Sequence, residues 1–226
     1  MNKKFKGVIF DFNGTMIFDT DIHRSVWLEY MPKLTGRPIT VDEIDHNMIG
    51  VDNANIFRKY LGADLSMERI DQLAYDKEAA YREKCRHDPV RARLVDGLED
   101  FLNYLKDNNV PRTIATGSEV NNLNFYFEIF DLARWFDYDK VVYDDGTFPG
   151  KPSPDIYLLA AAKLGLEPSD CIIFEDSYSG VRAARNAGAG RVFAVSENTP
   201  DTAYIPHGGV DAAAHDFVGY LSLLTL

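Results

Sequence analysis

Val8-Ile9-Phe10-Asp11-Phe12-Asn13-Gly14-Thr15 is the stretch from which the fold is read. Two β-branched residues and an aromatic run straight into an aspartate, then into a polar, glycine-containing turn. That is the pattern of a buried strand ending at a loop. Gly14 lets the chain bend sharply while its backbone N–H groups approach an anion. The first strand is therefore expected over Lys6–Phe10.

Similar runs recur at Arg112–Ala115, Lys140–Tyr143, Cys171–Phe174 and Val192–Val195. Amphipathic stretches lie between them at Leu98–Lys106, Asp155–Leu164 and Gly180–Ala187. Asp96 and Ser153 stand where helices begin, and Gly165 and Gly188 stand where helices end. Strands apolar on both faces and separated by helices predict an α/β fold with a Rossmann-like parallel sheet flanked by helices. From Asp19 to Asp88 no strand pattern appears. Ile22, Val26 and Tyr30 recur at helical spacing, as do Ile70, Leu73, Ala74, Lys77 and Tyr81. The expectation is an all-helical insertion of four helices over residues 19–88, between core segments 1–18 and 89–226. The mixed charges from Asp71 to Arg86 read as a solvated helix face. Trp27, Phe125, Tyr126, Phe127, Phe130, Trp135 and Phe136 read as core.

A net charge of −11 argues against nucleic acid or an anionic membrane as a partner. No apolar run approaches the roughly 20 residues of a membrane-spanning helix. The basic start Met1 to Lys6 is followed by too short an apolar stretch for a signal peptide, so a cytoplasmic location and a monomer are expected. Cys85 and Cys171 suggest no disulfide framework. With this charge, an anionic ligand would have to be met by a bound cation or by particular Lys and Arg side chains.

Ligands of open α/β sheets lie outside the carboxyl ends of the strands. After the first strand stand Asp11, Asn13, Gly14 and Thr15; after the second, Thr116-Gly117-Ser118. Lys151 lies beyond the third within Gly150-Lys151-Pro152-Ser153-Pro154, and the fourth runs into Glu175-Asp176. Carboxylates without thiolates or clustered histidines suit a hard cation such as Mg²⁺. A threonine hydroxyl and a lysine ammonium can hold phosphoryl oxygens, and a carboxylate can be a covalent nucleophile.

These four stretches in order resemble the motifs of the haloacid-dehalogenase superfamily. Glu175-Asp176-Ser177 with Gly180-Val181-Arg182-Ala183-Ala184-Arg185-Asn186-Ala187-Gly188 is similar to its β-phosphoglucomutase and phosphoglycolate-phosphatase-like branch, and the helical insertion resembles that branch's cap. The resemblance implies a Mg²⁺-dependent phosphatase of a small phosphorylated metabolite such as a sugar phosphate. It casts Asp11 as nucleophile and metal ligand, Asp176 as a metal carboxylate, and Glu175 as metal support. Thr116 and Lys151, with Gly14, Gly117 and Ser118, become phosphate-binding. His23 and Gly50 of the insertion become substrate-side candidates, and Asn13 donates a backbone carbonyl to the metal.

Asn13 departs from the family, whose phosphatases carry an aspartate acid–base there. An amide cannot protonate a leaving group, a service typically worth about 10²–10⁴-fold. Asn13 is either native, with His23, Asp19 or Asp21 supplying the proton, or the sign of a weakly catalytic protein that binds a phosphorylated ligand, or an engineered change. A phosphomutase is the other alternative. It is disfavoured by Ile49, Asp52 and Asn53 around Gly50 and by Glu119 after Ser118, where a mutase would carry basic residues.

Overall fold

The computed structural model describes residues 5–197, 203, 209–218 and 220. The chain runs β1 (Gly7–Phe10), α1 (Thr20–Thr35), α2 (Val41–Asn47), α3 (Asn53–Leu61), α4 (Met67–His87) and α5 (Leu98–Asp107). It continues through β2 (Arg112–Ile114), α6 (Val120–Ile129), α7 (Asp155–Leu164), β3 (Cys171–Glu175), α8 (Tyr178–Asn186), β4 (Arg191–Val195) and β5 (Ala212–Ala214). Two compact units result: Met1–Phe18 with Arg93–Leu226, and Asp19–Ala92. The second junction thus falls at Ala92–Arg93 rather than at Pro89.

In the first unit the five strands form one parallel sheet in the order β2-β1-β3-β4-β5. Strand side chains alternate between faces, and here each face has its own chemistry. Ile9, Ile173 and Val192 pack with Ala160, Ala161, Val181 and Ala184. Phe10, Phe174 and Phe193 belong to an aromatic cluster with Phe101, Phe217 and Tyr220. Phe10 and Phe174 are register partners, stacked with centroids 5.2 Å apart and planes 9° from parallel. Such a pair adds about 0.5–1.5 kcal/mol beyond the area it buries.

Three expectations shift. Lys140–Tyr143 is no strand. Tyr138–Lys140 forms a 3₁₀ turn, and only Val142 pairs, as a bridge to Ala115. Side chains bond two of its carbonyls, Thr113 Oγ1 donating to Lys140 O at 2.7 Å and Lys163 Nζ to Val141 O at 2.7 Å, while Val142 N donates to Ile114 O and Val142 O accepts from Thr116 N. Asp96 does not cap α5. Left-handed Gly97 (φ 79°) does, while Asp96 pairs with Arg93. Finally, β5 lies on three alanines, residues poor in strand propensity. Asp211 secures that edge: its Oδ2 accepts from Val192 N at 2.8 Å and from Arg185 Nη2 at 2.9 Å.

The second unit is four helices around Trp27, Met31, Ile44, Ile56, Phe57, Ile70 and Leu73. Thr40, Asp52 and Ser66 cap α2, α3 and α4, each accepting a backbone N–H from three residues on. The charged run on α4 is not wholly solvated, because Lys77 is 4% and Glu78 7% exposed. Lys77 Nζ donates to Glu78 Oε1 at 2.8 Å, lies 3.0 Å from His23 Nδ1, and sits 4.9 Å from the Trp27 ring centroid. Asn53 Nδ2 also donates to Glu78 Oε1, at 2.9 Å. His23 stacks on Tyr81 at 4.1 Å, and Tyr81 Oη donates to buried Asp19 at 2.6 Å. Burial of a charge is tolerated when it is paired and hydrogen-bonded, and this chain of contacts provides both.

Candidate active site

β1 has β2 on one side and β3 on the other, so the chain's direction across the sheet reverses at β1. Loops diverging at such a point leave a crevice at the carboxyl ends of the strands. Asp11 is the first residue past β1, and its N–H donates to Phe174 O at 2.9 Å. That bond ties it to the tip of β3, whose last residue is Glu175. Lys151 reaches the same point from the loop before α7, where Asn186 Nδ2 holds Pro152 O at 3.1 Å.

Lys151 Nζ donates to Asp11 Oδ1 at 2.5 Å and also to Glu175 Oε1. Thr15 Oγ1 donates to Asp11 Oδ2 at 3.2 Å. Glu175 is fully buried. Its Oε1 accepts from Tyr157 Oη at 2.5 Å besides Lys151, and its Oε2 accepts from Asp176 N, Ser177 N and Ser177 Oγ at 2.9–3.1 Å. A carboxylate offers about four lone-pair sites, and five donors already surround this one. Burial, and after it the charge of Glu175, push the Asp11 carboxyl up to about 7 against the opposing pull of Lys151 and Thr15. Burial likewise raises Glu175, but Lys151 and the hydrogen bonds of Tyr157 and Ser177 hold it below the ordinary carboxylate range. Burial and neighbouring carboxylates push the Tyr157 phenol well above its ordinary value, so it stays protonated as a donor.

Asp11, Glu175 and Asp176 each offer a carboxylate oxygen within 4.8 Å of the others. Lys151 bonds two of these carboxylates, Asp11 and Glu175, and the all-oxygen set fits a hard divalent cation. The space around it is kept by glycines. At Gly14 (φ 80°) a Cβ would lie 2.0 Å from Asp176 Oδ2, and at Gly180 a Cβ would lie 1.8 Å from Glu175 Oε1.

The loop after β2 supplies the other wall. Ala115 N donates to Phe10 O at 2.8 Å, which sets buried Thr116 beside β1's tip, and Ser118 N donates to Thr116 Oγ1 at 3.1 Å. Ser118 Oγ donates to Asn13 Oδ1 at 2.8 Å, and Asn13 Nδ2 donates to Tyr126 Oη of α6 at 2.9 Å. Glu119 caps α6, accepting from Asn121 N and Asn122 N. That is a structural reason for a carboxylate at this position. Gly117 separates Thr116 from Ser118. Thus Asp11, Asn13, Gly14, Thr116, Gly117, Ser118, Lys151, Glu175 and Asp176 all fall in the sheet-bearing unit. His23 and Gly50 belong to the helical one, Gly50 in a left-handed turn (φ 74°) before α3.

Sequence reasoning missed Tyr126, Tyr157 and Ser177. The two tyrosines carry the same periodic signal as core aromatics, and only folding reveals where each hydroxyl points. Ser177 was findable as the residue that caps α8 through Gly180 N at 3.0 Å.

The chain belongs to the haloacid dehalogenase-like hydrolases, whose family model matches residues 5–188. Fructose-1-phosphate phosphatase YqaB of Escherichia coli is 30% identical over 83% of this chain and 95% of its own length. The phosphorylated carbohydrates phosphatase of Thermotoga maritima is 28% identical over 87% of this chain and 88% of its own. A haloacid dehalogenase hydrolase of family IA, variant 3, from Entamoeba histolytica superposes with a TM-score of 0.85 at 36% identity, covering 94% of both chains.

Proposed function

We propose that the chain is a Mg²⁺-dependent phosphatase of a small phosphorylated metabolite, working through a phosphorylated Asp11. The names of its bacterial relatives favour a sugar phosphate. The single observation that carries the reading is Asp11, buried at the sheet's switch point and bonded to Lys151 within reach of Glu175 and Asp176.

An Asp11 carboxylate oxygen attacks phosphorus while the bond to the leaving oxygen breaks. Lys151 lowers the repulsion between Asp11 and an incoming dianion, and with Thr116 it holds the phosphoryl oxygens. Water then attacks the acyl phosphate, and the electron pair returns to Asp11. Asp11 and Asp176, with the Asn13 carbonyl, are the groups to hold Mg²⁺. Glu175, its lone pairs already taken, supports them by fixing Lys151 and the turn at Asp176. When bound, the ion neutralises phosphoryl charge in the transition state. On the same reading the helical unit is the family's cap.

Phosphate release from p-nitrophenyl phosphate, acetyl phosphate and a panel of sugar phosphates tests this directly. Release should require Mg²⁺, stop with EDTA, and vanish in Asp11→Ala. No release from any member of the panel would sink the proposal. A phosphomutase would need a bisphosphate activator and give no net phosphate; the capping role of Glu119 removes the basic group that such a site would carry there.

A further inference from the structure

Asn13 stands two residues past Asp11, and its side chain is hydrogen-bonded to two hydroxyls. Ser118 Oγ donates to Asn13 Oδ1 at 2.8 Å, and Asn13 Nδ2 donates to Tyr126 Oη at 2.9 Å. The two hydroxyls are 3.3 Å apart. With the phenol proton turned to Ser118 Oγ, the three groups form a closed ring in which each gives one hydrogen and takes one. Reversing the amide reverses the ring and still closes it. A carboxylate cannot close it: having no hydrogen to give, it would draw both hydroxyl protons and sever the Ser118–Tyr126 link. Two donors would also favour its ionised form and weaken it as an acid. Tyr126 is fully buried and stacked on Phe12, with centroids 4.2 Å apart, so its hydroxyl has a fixed place.

We infer that Ser118 and Tyr126 are positioning residues that hold a carboxamide at position 13, and that the leaving oxygen departs from this site without taking a proton from that position. The inference rests on the phosphatase reading above. In the first step Asp11 gains the phosphoryl group, and the leaving oxygen keeps the electron pair of the broken P–O bond as an anion. In the second step water adds to phosphorus, the bond between phosphorus and the Asp11 oxygen breaks and returns its electron pair to the carboxylate, and one water proton stays on the released phosphate while the other passes to solvent. Substrates with weakly basic leaving oxygens, acyl and aryl phosphates, are then turned over fastest. For a sugar phosphate the alkoxide takes its proton from water or from the substrate itself, and turnover is slow.

The test is kcat and KM for acetyl, p-nitrophenyl, phenyl and glycerol phosphates with the native enzyme, Ser118→Ala and Tyr126→Phe, the last retaining the ring that stacks on Phe12. Native kcat/KM, which reports the step that breaks the bond to the leaving oxygen, should fall about 10²–10⁴-fold from acetyl to glycerol phosphate, the span an acid–base group would otherwise supply. Each variant should lower kcat about tenfold on every substrate with the steepness unchanged, since a lost hydrogen bond is a uniform positioning defect. Values of kcat/KM within tenfold of one another across the native series would overturn the inference. So would a Tyr126→Phe loss confined to glycerol phosphate, which would make the phenol an acid, or two variants with native kinetics. If Tyr126→Phe fails to fold, Ser118→Ala decides alone. Absence of any phosphate release refutes the phosphatase reading instead, so the two failures are distinguishable.

Discussion

Replacing Glu78 by glutamine leaves the shape of α4 intact but removes the counter-charge of Lys77, an ammonium only 4% exposed. Burial pushes the Glu78 carboxyl up, yet the charges of Lys77 and His23 and the Asn53 hydrogen bond more than offset it and bring it to about 2, against an ordinary 4.5. A difference of that size corresponds to about 3 kcal/mol of folding free energy. The folded value is depressed, so the contribution is fully present above pH 4.5 and is lost as pH falls towards 2. Integrated over the titration, about 1.5 kcal/mol should remain near pH 3. The chain has two tryptophans, and Trp27 belongs to the helical unit with Lys77 at 4.9 Å from its ring. In a Trp135→Phe background its fluorescence reports the unfolding of that unit in urea. The parent should exceed Glu78→Gln by about 3 kcal/mol at pH 7, with the gap closing as pH falls. A gap of constant size from pH 7 to pH 3, or no gap at pH 7, would refute the assignment of stability to this charge pair.

Gly180→Ala places a methyl where Glu175 Oε1 lies, and the five donors around that carboxylate leave it nowhere to go. A fall in stability of about 3 kcal/mol by thermal melting, with kcat down more than about 100-fold, is the expected result; near-native kcat would show that Glu175 is not the anchor of Lys151. Burial pushes the thiols of Cys85 and Cys171 up to about 12 and about 11, and both are at most 1% exposed. Ellman's reagent should find neither in the native protein at pH 8 and both after unfolding in guanidinium.

Where the determinants are local, the sequence is a sufficient guide. Val8-Ile9-Phe10 can only be buried strand, and an aspartate after it, a Gly14 turn and Glu175-Asp176 after a second apolar run place acidic groups at neighbouring tips. What stays hidden depends on what a side chain meets across the fold. Lys140–Tyr143 has a strand's composition, but Thr113 and Lys163 take the carbonyls of Lys140 and Val141 and only Val142 pairs. Alanines make β5 because Asp211 pins the adjoining backbone. Lys77 and Glu78 look like two more charges in a polar run, yet His23, Asn53 and Trp27 from other helices enclose them. Tyr126 and Tyr157 are indistinguishable from core aromatics until their hydroxyls are placed.

The register that sets Phe10 against Phe174 joins distant parts of the chain, with the whole helical insertion, β2 and three more helices between them. Helices can form early from local contacts, whereas this pairing must close one of the longest loops available to the polypeptide. Asp11 and Glu175 each follow one of those phenylalanines, so the reactive centre does not exist in a partly folded chain, however helical. During synthesis Asp11 emerges long before its partner Glu175, and it stands as an ordinary exposed carboxylate until the third strand arrives.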